Sequence, residues 1–326
     1  MGASGHAVGV DLGGQSVRLA VVSAAGAIQL KRQSAIDAAR PAGELADLIL
    51  AQIRDLLAQA AAAGLAVGGV GLVMPGYMDA GRTRLLSAAN LPTLGGTDFL
   101  ERIRNGLNLP VVFDADCNAA AVGEYHFGAG RGAERLIVVT VGTGIGAGVL
   151  IDGQVLRIFN HVGGSLGHVI VDATGPRCAC GGRGCVEARA SGRALERLAG
   201  ELADRDPASR LARLRAQYGR LTGVEIGQAL GEADPAAGEA VRQVGWWLGA
   251  GIASWSAIYA PQRVLIGGGI IGLGEPYLAA IRAGLREVGQ PYLTADLDVL
   301  PAALGPDAGL IGAGAIALRI ARDERV

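Results

Sequence analysis

Concentrated charge is what this 326-residue chain most plainly lacks: 29 Lys and Arg stand against 30 Asp and Glu, with no Lys/Arg block. Affinity for nucleic acid comes largely from neutralising phosphates, so a DNA- or RNA-binding role has no footing here. Only six residues precede Ala7, where the first strand begins, and they leave no room ahead of it for a DNA-binding module. Residues 1–6 also lack the charged and apolar regions of a secretory signal, which points to the cytoplasm. Cysteines are few, and three of the four fall in one cluster, as suits a reducing compartment. Long hydrophobic runs are missing too. The uncharged stretch 244–261 falls just short of a membrane span, contains Gly and Ser, and stands alone, so a buried helix behind a sheet is expected. Aromatics are only 4 % although half the residues are apolar, and at this length two domains, each with its own core, are expected. Glycine is the abundant residue, at 53, but no Gly-X-Y period occurs, so the glycines mark turns and close backbone approaches.

A pattern of strand, Gly turn, strand, strand occurs twice, at residues 7–32 and 136–157. In the first copy, residues 7–12 run into Gly13-Gly14, and strands at 17–22 and 27–32 follow, a β-meander. Leu45, Leu48, Ile49, Ile53, Leu56 and Leu57 then recur at helical period over residues 43–63. Residues 67–74 predict a buried strand ending in Pro75-Gly76, and 111–113 a short strand ending in carboxylates, with an Ala-rich helix at 119–125. In the second copy, a strand at 136–141 meets a Gly-rich turn at 142–146. A strand at 147–151, the hairpin signal Asp152-Gly153 and a return strand at 154–157 complete it. Residues 191–256 read mostly helical, 263–266 as a strand, and 308–322 as a closing helix. Two related α/β halves are therefore expected, with their ligand turns facing a cleft. The first spans 1–116, with 305–326 packing back on it, and the second spans 117–304.

Three Gly turns at strand ends carry the first chemical signal. Asp11-Leu12-Gly13-Gly14 sets a carboxylate beside two glycines that let backbone N–H groups approach an anion, and Asp11 suits Mg²⁺ held through water. Gly142-Thr143-Gly144-Ile145-Gly146 adds a hydroxyl, and Gly267-Gly268-Gly269 suits the adenosine end of a nucleotide. Each taken singly is also an ordinary β-turn. Neither a P-loop nor a G-x-G-x-x-G opening a helix is present. Asp114 and Asp116 stand at a strand–helix junction with Asn118. An Asp there can take a proton from a substrate hydroxyl, or simply cap the helix. His168, Cys178, Cys180 and Cys185 make a closed N/S set of the structural zinc kind, with glycines at 181, 182 and 184 to wrap it; three buried thiols, one pair oxidised, is the other reading.

Taken together, these motifs resemble the ROK family of sugar kinases and repressors, on the two-domain actin-like ATPase (ribonuclease H-like) fold. The resemblance rests on Asp11-x-Gly13-Gly14, Asp116-x-Asn118, residues 142–146, Gly167-His168, the Cys178-x-Cys180…Cys185-x-Glu187 segment and residues 267–269. It implies ATP, Mg²⁺ and structural zinc, a homodimer, and phosphorylation of a hexose primary hydroxyl, with glucose the default sugar. It assigns Asp116 as general base. Asp11, Gly13, Gly14 and Gln15 would handle phosphates and Mg²⁺ from one half, with Gly142, Thr143, Gly144 and Gly146 facing the phosphates from the other. Gly267, Gly268 and Gly269 would border adenosine. His168 and Glu187 would meet sugar hydroxyls, with Gly76, Asn90, Ala115 and Ser165 lining the pocket; His168, Cys178, Cys180 and Cys185 would bind zinc.

Three positions depart from the family pattern: Gln15 replaces Thr, Ala115 replaces a sugar-binding Asn, and Ser165 replaces a Glu. Asp114 is the expected replacement carboxylate. The same residues leave open a sugar-sensing protein without phosphotransfer. A chaperone- or filament-type ATPase of this fold would have no need of Glu187 and the zinc loop, and polyphosphate is the alternative donor.

Overall fold

The computed structural model describes residues 5–88, 90–157 and 165–321. The chain begins with β1 (His6–Leu12), β2 (Ser16–Ser23), β3 (Ile28–Ala35), α1 (Ala42–Ala62) and β4 (Val67–Met74). A small hairpin of β5 (Tyr77–Met78) and β6 (Leu85–Ser87) follows, then α2 (Phe99–Asn105), β7 (Val111–Ala115) and α3 (Asp116–Phe127). Next come β8 (Arg135–Val141), β9 (Ile145–Ile151), β10 (Gln154–Val155), α4 (Val186–Ala190), α5 (Gly192–Arg205), α6 (Arg210–Tyr218) and α7 (Gly223–Gly231). The last part holds α8 (Pro235–Tyr259), β11 (Arg263–Gly267), α9 (Glu275–Val288), α10 (Pro291–Thr294), β12 (Asp298–Pro301) and α11 (Ala308–Ala321). Arg322, predicted to end α11, lies outside the described residues.

The two sheets share one topology. The first runs β3-β2-β1-β4-β7 and the second β10-β9-β8-β11-β12. In the first, β1 and β2 pair antiparallel, while β4 joins β1 and β7 joins β4 in parallel. The repeat seen in the sequence is thus a repeat of strand order. By contacts the chain divides into two units. One comprises the described residues of 1–134, 148–164 and 303–326, the other those of 135–147 and 165–302. Helix α3 falls in the first unit because it packs along α11.

Strand alternation explains the first unit. Val8, Val10 and Leu12 point to one face and join Leu19, Leu72 and the α1 residues Leu45, Ile49 and Ile53 in a fully buried core. Gly9 and Asp11 occupy the opposite face of β1, where α11 lies. A Cβ on Gly9 would stand 2.3 Å from the Leu310 carbonyl oxygen, and one on Gly71 of β4 2.0 Å from that of Ala313. On α11 itself, a Cβ at Gly312 would meet the Ala119 carbonyl oxygen of α3 at 1.7 Å. Helix, sheet and α3 therefore meet backbone to backbone. The entry to α11 is fixed by Glu124, which is fully buried and accepts the N–H groups of Ala129 (2.9 Å), Ala303 (3.1 Å) and Leu304 (2.7 Å).

In the second unit the stretch 244–261 belongs to α8, which Asp234 caps by accepting the Ala237 N–H at 2.8 Å. Its glycines serve a helix pair: Gly249 faces the Ile281 carbonyl oxygen of α9 (a Cβ would stand 2.1 Å from it), and Gly284 of α9 faces that of Trp246. Among the described residues no helix is long and apolar enough to cross a membrane. Asp152 (φ 51°) and Gly153 (φ 73°) both sit in the left-handed region, as a two-residue hairpin turn needs. The return strand β10 is two residues rather than the four expected.

Replacing Gly312 with Ala is expected to lower stability by about 1–3 kcal/mol, because the new methyl has no room. Gly238→Ala, in α8 with nothing within 4 Å, is expected to raise it by about 0.5–1 kcal/mol. Urea unfolding of the two variants reads both signs.

Candidate active site

Asp116 opens α3 directly after β7. The N-cap is Ala115, which lends no side-chain bond, so Asp116 is the first helical residue and not a cap. Its Oδ1 accepts the Cys117 N–H at 2.7 Å. Burial, reinforced by the nearby Asp11 carboxylate, pushes the Asp116 carboxyl up to about 6. Asp11 is buried at the end of β1, with Arg18 donating to its Oδ2. The first turn of α11 lies beside both: a Cβ on Gly309 would stand 3.4 Å from Asp11 Oδ2 and 3.8 Å from the Asp116 carbonyl oxygen.

The other first-unit residues gather around the β1–β2 corner. The Gly13 N–H donates to the Ser16 carbonyl at 2.9 Å and closes that corner. Gln15 is exposed, and its carbonyl accepts the Ile36 N–H. Gly14 packs on Asn90, with a would-be Cβ 2.8 Å from the Asn90 carbonyl oxygen. Gly76, at φ 133°, packs on the Ser87 carbonyl at 2.4 Å by the same measure. The Gly14 corner thus meets Asn90 and the Gly76 turn meets Ser87 and Ala88, with Ala115 paired to Met74 at the neighbouring strand end.

Asp114 is not a spare sugar ligand, contrary to the expectation from the sequence. It is 3 % exposed, and both of its oxygens are taken. Oδ1 accepts the Ala115 N–H and the Asn118 amide, each at 2.8 Å. Oδ2 accepts Arg82 at 3.2 Å and also Arg157. Burial and the adjacent Arg157 guanidinium lower the Arg82 pKa, while Asp114 opposes them. Asp114 therefore clamps the β5–β6 hairpin and the segment after β10 onto β7. Neither arginine was singled out from sequence, because Arg82 sits in a hairpin too short for a period and Arg157 follows a strand that ends early.

In the second unit, Gly142 and Thr143 are exposed at the end of β8 and Gly144 is half-buried. The Ile145 N–H donates to Glu187 Oε2 at 2.9 Å, and the Gly192 N–H to the Gly142 carbonyl at 2.8 Å. The Thr140 hydroxyl donates to the Gly146 carbonyl at 3.3 Å. Gly268, at φ 89°, packs against the Val141 carbonyl (2.3 Å from a would-be Cβ), which sets the 267–269 turn beside the base of the 142–146 turn. Gly267 is buried and Gly269 exposed.

Ligand atoms of His168, Cys178, Cys180 and Cys185 all lie within 4.8 Å of one another. His168 Nδ1 is 3.6 Å from Cys178 Sγ, and Cys180 Sγ is 3.7 Å from Cys185 Sγ. A zinc tetrahedron with ordinary Zn–S and Zn–N bonds has edges of about 3.8 Å between sulfurs and about 3.6 Å between nitrogen and sulfur. The donor set and its spacing fit the ion, and the cysteines are free thiols with no pair oxidised. The glycines supply the wrap: Gly181 (φ 91°) and Gly184 (φ 66°) turn the chain, and Gly182 faces the Cys180 and Cys185 sulfurs. Ser165 precedes the turn, and its carbonyl accepts the His168 N–H at 2.9 Å.

The family model described as "ROK family" matches residues 7–320. A glucokinase of Streptomyces coelicolor is 33 % identical over 96 % of this chain and 98 % of its own length. The crystal structure of a ROK family glucokinase from Streptomyces griseus, in complex with glucose and AMPPNP, is 34 % identical, covers 96 % of this chain and 99 % of that one, and superposes with a TM-score of 0.81. The xylose repressor of Bacillus subtilis is 26 % identical over 97 % of this chain and 77 % of its own. The chain belongs to the ROK family, and its mixed α/β architecture is the actin-like ATPase fold of that family's kinases.

Removing Asp114 leaves two clustered guanidiniums without their acceptor. Asp114→Ala is expected to cost about 3–5 kcal/mol, read as a lowered melting temperature by calorimetry. Cys180→Ser is expected to lose bound zinc, measured by elemental analysis of the purified protein against the parent chain.

Proposed function

We propose that this protein is an ATP- and magnesium-dependent sugar kinase, acting on the primary hydroxyl of a hexose, with glucose as the default substrate. The observation that carries this reading is Asp116, a half-buried carboxyl beside Asp11 at a strand–helix junction, with its pKa pushed up to about 6. Such a group is ionised near neutrality yet basic enough to receive a hydroxyl proton. Similarity to a glucokinase whose structure holds glucose and AMPPNP supports the substrate pair.

In this reading Asp116 accepts the proton of the attacking hydroxyl. Asp11 would hold magnesium through water, and the ion would supply neutralisation of phosphate charge there. The Gly13-Gly14 corner, through the Gly14 N–H, and the 142–146 turn, with the Thr143 hydroxyl, orient the phosphates. Gly267, Gly268 and Gly269 border adenosine. Glu187 and the second ring nitrogen of His168 meet sugar hydroxyls, in a pocket that Gly76, Asn90, Ala115 and Ser165 line. The four N/S ligands hold zinc as a rigid clamp on the segment that carries Glu187. The protein acts in the cytoplasm as a homodimer.

Gln15, Ala115 and Ser165 favour a second reading, a sugar sensor without phosphotransfer, since they replace a hydroxyl with an amide, remove an amide and shorten a carboxylate to a hydroxyl. The two readings separate on ADP release from ATP and magnesium across glucose, mannose, fructose, allose, N-acetylglucosamine and N-acetylmannosamine, with polyphosphate as the other donor. Turnover on one sugar is expected, with kcat/KM rising through pH 6 and falling about tenfold per pH unit below it, because only the ionised Asp116 accepts the proton. Asp116→Asn abolishes it. Saturable sugar binding with no turnover on any of the six establishes the sensor.

A further inference from the structure

Three of the contacts that hold the 142–146 turn come from the two segments that flank the zinc ligands. Upstream, Gly167, next to His168, approaches so closely that a Cβ on it would stand 2.4 Å from the Ile145 carbonyl oxygen. Downstream, Gly192 donates its N–H to the Gly142 carbonyl at 2.8 Å. Between them, Glu187 Oε2 accepts the Ile145 N–H at 2.9 Å and crowds Gly144, where a Cβ would stand 2.5 Å away. The other oxygen of the same carboxylate lies 3.8 Å from Cys178 Sγ, one of the zinc ligands. One side chain therefore spans from the metal cluster to the phosphate turn.

We propose that Glu187 is a positioning residue for the phosphate donor. It sets the Gly142-Thr143-Gly144-Ile145-Gly146 turn before any sugar arrives, apart from whatever it does for the sugar. The proposal rests on the sugar-kinase reading. A turn with three glycines in five residues has many backbone conformations to lose, and an anion site assembled from its N–H groups binds weakly unless the turn is fixed beforehand. Glu187 fixes it at one peptide. It takes the Ile145 N–H, and with the Gly142 N–H bonded to the Gly144 carbonyl at 3.0 Å, the N–H groups of Thr143 and Gly144 are left to the donor. An ionised carboxylate has about four acceptor positions, so sugar hydroxyls can add to Glu187 without displacing Ile145. Sugar and donor then share one rigid carboxylate, and each strengthens the other's binding by the same factor.

The test is binding of magnesium–ADP, by titration calorimetry, with no sugar present. Glu187→Ala is expected to weaken it about tenfold, the loss of one charge-assisted hydrogen bond. Glu187→Gln keeps an oxygen for the Ile145 N–H, and is expected to bind the nucleotide within about twofold of the parent chain. A residue serving only the sugar would leave all three chains equal. Gly144→Ala attacks the same contact from the turn, by driving a methyl against Glu187 Oε2 while leaving Glu187 itself and the cluster residues unchanged. It is expected to reproduce the loss, and the double variant Gly144→Ala, Glu187→Ala to add nothing. Equal zinc content in every variant separates the effect from collapse of the metal loop. Unchanged nucleotide affinity in Glu187→Ala overturns the positioning role and leaves the kinase reading standing. A parent chain that binds neither nucleotide nor any sugar overturns both.

Discussion

The contact of α11 with bare strand backbone is the constraint on which the first unit turns. Gly9 and Gly71 strip one face of β1 and β4 so that a helix can rest on the peptide groups themselves. Close approach of this kind has no slack, since packed interiors respond to single methyl groups. It also fixes where the helix begins. Its first turn, at Gly309, lies against Asp11 Oδ2 and the Asp116 carbonyl. The chemistry proposed for this face thus depends on residues that carry none. Glu124 completes the arrangement by holding the chain just before α11 with a buried carboxylate and two backbone N–H groups from residues 303 and 304.

Electrostatics at this face run against stability. A carboxyl raised from 3.8 to about 6 is more easily ionised in the unfolded chain than in the folded one. The stabilisation that comes with its protonated form is full below 3.8 and lost as pH rises through 6. By the ordinary linkage relation the ionised form costs up to about 3 kcal/mol near neutrality. Proton-accepting sites commonly carry such a cost. Two residues earlier, Asp114 does the reverse: saturated by two arginines and two N–H groups, it is a carboxylate used for joining segments. The chain separates the two roles by ending β7 at Ala115 and starting α3 at Asp116.

Much of this was legible from residues alone, for a reason that can be stated. Alternation with turn signals marks the meander, helical period marks α1, and apolar runs mark β4, β8 and much of α8, since each of these patterns lies within its own element. The cluster of His168, Cys178, Cys180 and Cys185, whose ligand atoms lie within 4.8 Å of one another, was legible because a metal-type donor set is written in residue types and short spacings. Asp116 stood out by its place between a strand and a helix. Contacts that join distant loops left no mark: Arg82 and Arg157 meet at Asp114 from hairpins with no readable period, so the sequence by itself presents Asp114 as a carboxylate open to a sugar. The same holds for β12, only four residues long, for α9, and for the bond from Ile145 to Glu187, whose partners are 42 positions apart. Gly9, Gly71 and Gly312 could be counted but not assigned, because a glycine's neighbour across a packing face is not in its own sequence.

The position of α11 along the chain has a consequence for how the molecule is made. The second unit's residues, 135–147 and 165–302, are synthesised before residue 303 exists. The first unit, although it supplies the N-terminus, waits for α11 before Ala20 and Val22 can be covered by Leu310 and Ile311. Order of synthesis and order of completion are therefore opposite for the two units. While translation proceeds, one face of the earliest sheet stands uncovered, with its glycine-lined peptide groups open to water, and it closes only when the helix emerges from the ribosome.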